Sequence, residues 1–146
     1  MLTELLANPV SYILVVNIIT LIWAVRSWKK TIREKWMNNL RDCASELIGA
    51  TEDIYLRKIN LNHQSDKMTQ YKSDAIDAMS AFIAKEKKLL LLFKQDNEDF
   101  TQFKELSEQL RSAAGTNNDY RNTMHKFREL VGSRLSNEWR SINTFF

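Results

Sequence analysis

The stretch SYILVVNIITLIWAVRSWKK, Ser11–Lys30, decides the fold of this chain. It is almost continuously apolar as far as Val25, and its last five positions carry three basic residues and a tryptophan. As a helix, Pro9–Val25 would be about 25 Å long, which is at the short end of what spans a bilayer core. Because Trp23 and Trp28 suit the headgroup region, we predict a transmembrane helix over residues 9–26.

Two other interpretations of this segment stay open: a cleaved signal peptide and a buried core helix. A signal peptide begins with basic residues and ends at a small-residue cleavage site. Residues 1–8 read MLTELLAN and contain no Lys or Arg. A core helix would not carry the Trp and Lys flank. We therefore favour a retained span.

The basic residues lie on one side of the span and predict its orientation. Residues 26–35 contain Glu34 and the basic side chains Arg26, Lys29, Lys30, Arg33 and Lys35. By the positive-inside rule, we predict that residues 1–8 lie outside the membrane and residues 27–146 lie in the cytoplasm. The predicted membrane-interface residues, which could also contact anionic lipid, are Trp23, Arg26, Trp28, Lys29, Lys30 and Arg33.

The span is not apolar all the way round. Ile13, Asn17, Thr20 and Ala24 lie on one helix face, and the last three of them are small or polar. Polar side chains in hydrocarbon usually face other helices, so we predict that this face contacts further copies of the chain. Around an axis it would line a pore, or it would serve only as a packing seam. The simpler alternative is a lone anchor that tolerates one Asn and one Thr.

The remainder of the chain predicts a helical bundle. Only three Gly and one Pro occur in 146 residues, which favours long helices. Near-heptad apolar spacing continues through Trp36, Leu40, Cys43 and Leu47. We predict helices over about 27–60, 66–93, 98–114 and 118–143, joined by short turns and packed antiparallel. The predicted fold class is all-α, with one transmembrane helix that continues into this bundle.

Helix ends in the bundle are predicted from individual residues. Asp96, Glu98 and Asp99 form an acidic group that suits the start of the third helix. Gly115 suits the position just past its end, and Asn117 or Asn118 suits the cap of the fourth helix.

No catalytic motif is recognisable. The sequence has no Gly-rich phosphate loop, no nucleophile elbow and no metal-ligand spacing, so we predict no enzyme, no metal and no cofactor. Cys43 is the only cysteine and falls on the predicted core face, so we expect a small buried hydrophobe there.

The last helix is rich in basic residues. Arg121, His125 and Arg128 share one face at spacings of four and three. A solvated helix surface is the ordinary explanation of such a pattern. The sharper hypothesis is a site for DNA or another anionic oligonucleotide, because Arg forks bind phosphate. Its candidate residues are Arg121, His125, Lys126, Arg128 and Arg134.

Three segments together carry a resemblance to a known group. They are KWMNNLRDCASELI (Lys35–Ile48), KKLLLLFKQDNEDFTQFKELSEQL (Lys87–Leu110) and SNEWRSI (Ser136–Ile142). In this order, after a short span, they resemble small bacterial single-span membrane proteins with a helical cytoplasmic domain. Some of these are similar to membrane effectors of antiphage defence, of the Hailong type. The resemblance implies an ion channel that a bound DNA oligomer keeps closed.

Sequence and resemblance together predict an oligomeric bacterial membrane effector. Its cytoplasmic bundle would sense a ligand such as an oligonucleotide, and its span would form a ligand-gated channel or pore in antiphage defence. The alternative is a membrane-anchored structural or adaptor protein whose bundle binds a partner protein. An enzyme at the membrane is the least favoured hypothesis, because convergent polar groups are not apparent.

Overall fold

A computed structural model describes residues 9–61, 68–116 and 119–143. These residues form four α-helices and contain no strand. The helices are α1 (Pro9–Leu61), α2 (Met68–Leu90), α3 (Glu98–Thr116) and α4 (Tyr120–Asn143). The prediction of an all-α chain is confirmed within this part.

The chain divides into two compact units, Met1–Lys35 and Trp36–Phe146. In the first unit, α1 is long and apolar enough to cross a membrane by length and composition. Its apolar side chains are exposed, including Leu14, Ile19 and Leu21. A folded protein in water rarely exposes so large an apolar surface, so this segment requires a cover such as lipid or another helix.

The second unit is an up-and-down four-helix bundle. Paired contacts run in opposite directions along neighbouring helices: Trp36 and Glu46 of α1 contact Leu92 and Lys85 respectively. The same reversal relates α2 to α3, α3 to α4, and α4 back to α1. Few residues separate successive helices in the sequence, and a helix that follows so soon packs antiparallel to its neighbour.

The bundle core is built around three phenylalanines. Phe82, Phe103 and Phe127 are fully buried, one each from α2, α3 and α4. Phe103 stacks on Phe93 with ring centroids 4.7 Å apart and meets Phe127 edge-on at 6.0 Å. The contribution of α1 is the buried set Leu40, Cys43, Ala44, Leu47 and Ile54. The expected burial of Cys43 is therefore confirmed.

Helix ends differ in detail from those the sequence predicts. The second helix ends at Leu90 and not at residue 93, because Leu91–Phe93 form a turn whose amides donate to Lys87, Leu89 and Leu90 carbonyls. Gly115 was expected just past the third helix, but α3 continues through it to Thr116. Asn117 and Asn118 lie outside the described residues. Asp119 precedes α4 at a φ of 57°, and its carbonyl accepts the Thr123 amide.

Candidate functional site

Ile13, Asn17, Thr20 and Ala24 form one face of α1, which we call the polar stripe. Of its two polar side chains, one has a hydrogen-bond partner in the part of the chain that the structure describes and one does not. The Thr20 hydroxyl donates to the Val16 carbonyl at 2.8 Å, within its own helix. The Asn17 amide is exposed, and the described residues offer it no hydrogen-bond partner. Ile13 and Ala24 are exposed on the same face. In hydrocarbon, Asn17 is thus the group on this stripe that needs a partner.

The predicted membrane-interface residues all lie on the helix of the first unit. Trp23 and Trp28 are 67% and 65% exposed, as interfacial anchors are in the absence of lipid. Arg26, Lys29 and Lys30 are exposed as well, and Arg33 is half-buried. Lys30 lies 3.9 Å from Glu34, one turn further on. Basic residues therefore outnumber acidic ones in this segment, since Glu34 is the one acid among residues 26–35.

Arg128 belongs to the contact between α4 and α1. Its guanidinium lies 3.3 Å from the carboxylate of Glu52. Nearby, the rings of Tyr55 and Tyr120 stack at 4.2 Å and connect the same two helices. Burial raises the pKa of Tyr120, whose hydroxyl has no hydrogen-bond partner among the described residues. Both members of the Arg128 ion pair are about half exposed, so a stronger anion could displace Glu52.

Arg134 is held by the bundle on three sides. It lies 3.0 Å from Asp99 and 3.1 Å from Glu138. Its guanidinium also sits 5.5 Å from the centre of the Trp36 ring, a cation–π contact. Two carboxylates already neutralise this side chain, so its positive charge is used within the bundle. The structure thus places Arg134 in helix packing.

The other predicted anion-binding residues are more accessible. Arg121 and Lys126 are exposed, and neither takes part in an ion pair among the described residues. His125 lies 3.3 Å from Glu129, one turn along α4. At about 100° per residue, Lys126 is turned away from the face that Arg121, His125 and Arg128 share. The structure therefore brings three of the five predicted residues together and separates Lys126 and Arg134 from them.

Sequence reasoning did not find the ionic cluster between α1 and α2. The Nζ atoms of Lys85 and Lys88 lie 2.7 and 2.8 Å from the two carboxylate oxygens of Glu46. These hydrogen bonds lower the pKa of Glu46 to about 2, and the one from Lys85 contributes most. The spacing of Lys85 and Lys88 on one helix face was the available signal. Their partner is 39 positions earlier in the sequence than Lys85, and periodicity does not identify it.

A second unpredicted network lies inside the bundle. The Ser107 hydroxyl of α3 donates to Glu86 Oε1 of α2 at 2.6 Å. Arg111 Nη1 lies 3.8 Å from the other oxygen of Glu86. Ser107 is fully buried and Glu86 is 8% exposed. Because a buried carboxylate requires partners, this network fixes how α2 and α3 pack.

Metal-ligating residue types are scattered over the bundle. Within residues 9–61, 68–116 and 119–143, no three His, Cys, Asp or Glu side chains are grouped to hold a metal ion. The acidic residues Asp96, Glu98 and Asp99 lie where helix α3 begins, and Asp99 pairs with Arg134. Asp99 therefore takes part in the contact between α3 and α4.

No protein-family model matches the chain, and neither curated proteins nor solved structures provided a match. The resemblance to antiphage-defence membrane effectors therefore stays a prediction from the sequence.

Proposed function

We propose that this protein is an oligomeric bacterial membrane effector whose span assembles through the Asn17 face. The observation that carries the proposal is the Asn17 amide, which is exposed and unpartnered in the middle of an apolar helix. An unpaired amide in hydrocarbon costs several kcal/mol, and a second copy of the same face removes that cost. Thr20 and Ala24, being small, let the helices approach closely.

The proposed topology follows from the distribution of charge along α1. Five basic residues follow the apolar segment within ten positions, and residues 1–8 contain none. The positive-inside rule then favours an N-terminus outside the inner membrane and a cytoplasmic bundle. A bundle on that side is in a reducing compartment, which suits a chain with one buried thiol.

The finer proposal is that the assembled spans conduct ions. Rings of Asn17 and Thr20 around an axis would present amide and hydroxyl oxygens to a narrow pore. The Thr20 hydroxyl donates its proton to the Val16 carbonyl, so its oxygen is left to act as an acceptor. Acceptor oxygens favour cations and water over anions. A packing seam without conduction is the competing outcome.

The ligand that we propose for the bundle is an anionic oligonucleotide, bound on the face of Arg121, His125 and Arg128. Arg121 is exposed and lacks an ion-pair partner in the described part of the chain. Arg128 is half exposed, and a phosphate could replace Glu52 on it. Loss or gain of that ligand would change the α4–α1 contact, which is the step that we propose controls the channel in antiphage defence.

The test is ion leakage from vesicles that contain the full-length protein, with Asn17→Leu and Thr20→Leu combined. The matched control is Val15→Leu, which introduces the same side chain about 160° away from Asn17. We expect leakage in the wild type and the control and none in the double variant. Unchanged leakage in the double variant would overturn the pore assignment.

A second candidate function, a membrane-anchored adaptor for a partner protein, is favoured by a different observation. Arg128 and Arg134 are engaged in ion pairs, which leaves less free positive charge for an anion. The bundle also exposes large apolar side chains at Leu91 and Trp139, which suit a protein contact. Replacing residues 9–26 with an unrelated span would preserve the function of an adaptor and abolish that of a channel.

A further inference from the structure

Four basic residues share one face of α1 directly after its apolar segment. Arg26, Lys29, Lys30 and Arg33 follow the spacing i, i+3, i+4, i+7, which places them on a single stripe of a helix. Trp23, three positions before Arg26, lies on the same side. We call these four residues the basic face. Lys30 lies 3.9 Å from Glu34, one turn further along α1, and both side chains are exposed.

The basic face lies opposite the polar stripe. Arg26 follows Asn17 by nine positions, which corresponds to about 180° around the helix. Lys35 follows Asn17 by eighteen positions and so returns to the Asn17 side. If the Asn17 face contacts further copies of the chain, the basic face must point outward, toward the lipid that surrounds the assembly. The positive-inside rule depends on the number of basic residues and not on the helix face that carries them. It therefore does not explain why these four residues lie on the face opposite Asn17.

We infer that the basic face is a binding site for the phosphate groups of anionic phospholipids. Guanidinium groups form paired hydrogen bonds with phosphate oxygens, and ammonium groups add compact positive charge. The four groups lie along about two turns of helix, a length of about 10 Å. The exposed Trp23 supplies an interfacial ring beside them. The inference rests on the proposed function only in taking α1 as a membrane span.

The experiment is native mass spectrometry of the full-length protein in detergent, titrated with phosphatidylglycerol or with phosphatidylcholine. The test variant changes the four residues of the basic face to Gln. The control variant removes the same charge from exposed positions of the bundle: Arg41, Lys87, Lys94 and Lys104. We expect phosphatidylglycerol to bind the wild type and the control at least about tenfold more tightly than the test variant. Equal binding by test and control variants would overturn the inference.

Two further experiments distinguish lipid binding from binding of free phosphate, and distinguish this inference from the proposed function. Inorganic phosphate at the same concentration should not displace the bound lipid, and displacement would show a site for free phosphate and contradict the inference. Asn17→Leu should remove oligomers and leave lipid selectivity intact, so the two proposals fail separately. Co-flotation of the test variant with neutral phosphatidylcholine vesicles should match the wild type, because the apolar segment is unchanged. Loss of flotation would contradict a site that acts only through headgroups.

Discussion

The buried contact between Ser107 and Glu86 provides a quantitative test of how α2 and α3 pack. Ser107→Ala removes the donor that lies 2.6 Å from a carboxylate oxygen of a residue only 8% exposed. The remaining cation, Arg111, is 3.8 Å from the other oxygen and does not replace it. A lost hydrogen bond to a buried charged group costs about 1.5–3 kcal/mol, and the better helix propensity of Ala returns about 0.5 kcal/mol. We expect a net loss of about 2 kcal/mol.

Removing the Glu86 carboxylate is expected to lower the free energy of unfolding by less than removing the Ser107 hydroxyl. Without Glu86, the Ser107 hydroxyl still has an acceptor in the Lys104 carbonyl, 2.9 Å away in its own helix. In the Ser107→Ala background, Glu86→Met replaces an undersatisfied carboxylate by an apolar side chain of similar length. Such replacements are often neutral or stabilising. The double variant should therefore be more stable than Ser107→Ala alone.

The assay is thermal unfolding of the full-length protein in detergent, followed by circular dichroism. For a domain of about a hundred residues, 2 kcal/mol corresponds to about 8–16 °C in Tm. Ser112→Ala is the control, because Ser112 is exposed on the same helix. A Tm change below about 3 °C for Ser107→Ala relative to this control, or no recovery on adding Glu86→Met, would refute the reasoning.

Three further predictions concern the same bundle. Lys85 and Lys88 lower the pKa of Glu46 to about 2. The ionised Glu46 therefore stabilises the folded protein fully above the ordinary carboxyl pKa of about 4.3, and this stabilisation is lost as the pH falls toward about 2. Unfolding profiles should therefore separate wild type from Glu46→Gln at pH 6 and converge near pH 2; parallel profiles would contradict this. Phe127→Ala should cost about 3–5 kcal/mol in denaturant unfolding, since Phe127 is fully buried, and a cost below 1 kcal/mol would be inconsistent with its position. Burial raises the pKa of the Cys43 thiol, so maleimide should label the native protein at least about a hundredfold more slowly than the unfolded chain; equal rates would show that the core is open.

Much of the fold is predictable because it depends on local patterns. The near-heptad spacing of Leu40, Cys43 and Leu47 predicts a buried face on α1, and all three are buried. The start of the third helix at Glu98 follows from the acidic group around it. Such features involve residues within one or two turns of each other, so the sequence contains the whole signal.

Contacts between helices were not predictable in the same way. The pairing of Arg134 with Asp99 depends on which faces of α3 and α4 meet, and periodicity does not specify a partner. The sequence therefore predicted Arg134 as a cation available to a ligand, whereas the structure places two acids and Trp36 around it. The end of α3 was also predicted imprecisely. Glycine often follows the last residue of a helix, but Gly115 lies within α3 here.

The chemistry of the span is predictable only as a pattern. The sequence places Asn17 and Thr20 on one face, and the structure adds that Thr20 is satisfied within its helix while Asn17 is not. Whether copies of the chain cover that face depends on association in a bilayer. A sequence of one chain carries no direct signal for that association.

The most direct test of the central proposal is the mass of the detergent-purified full-length protein by native mass spectrometry, before and after nuclease treatment. We predict a defined homo-oligomer that Asn17→Leu converts to monomer and Val15→Leu does not, with bound mass that nuclease removes. A monomeric wild type without nuclease-sensitive mass would contradict the oligomeric effector and leave a single-span anchor for a partner protein.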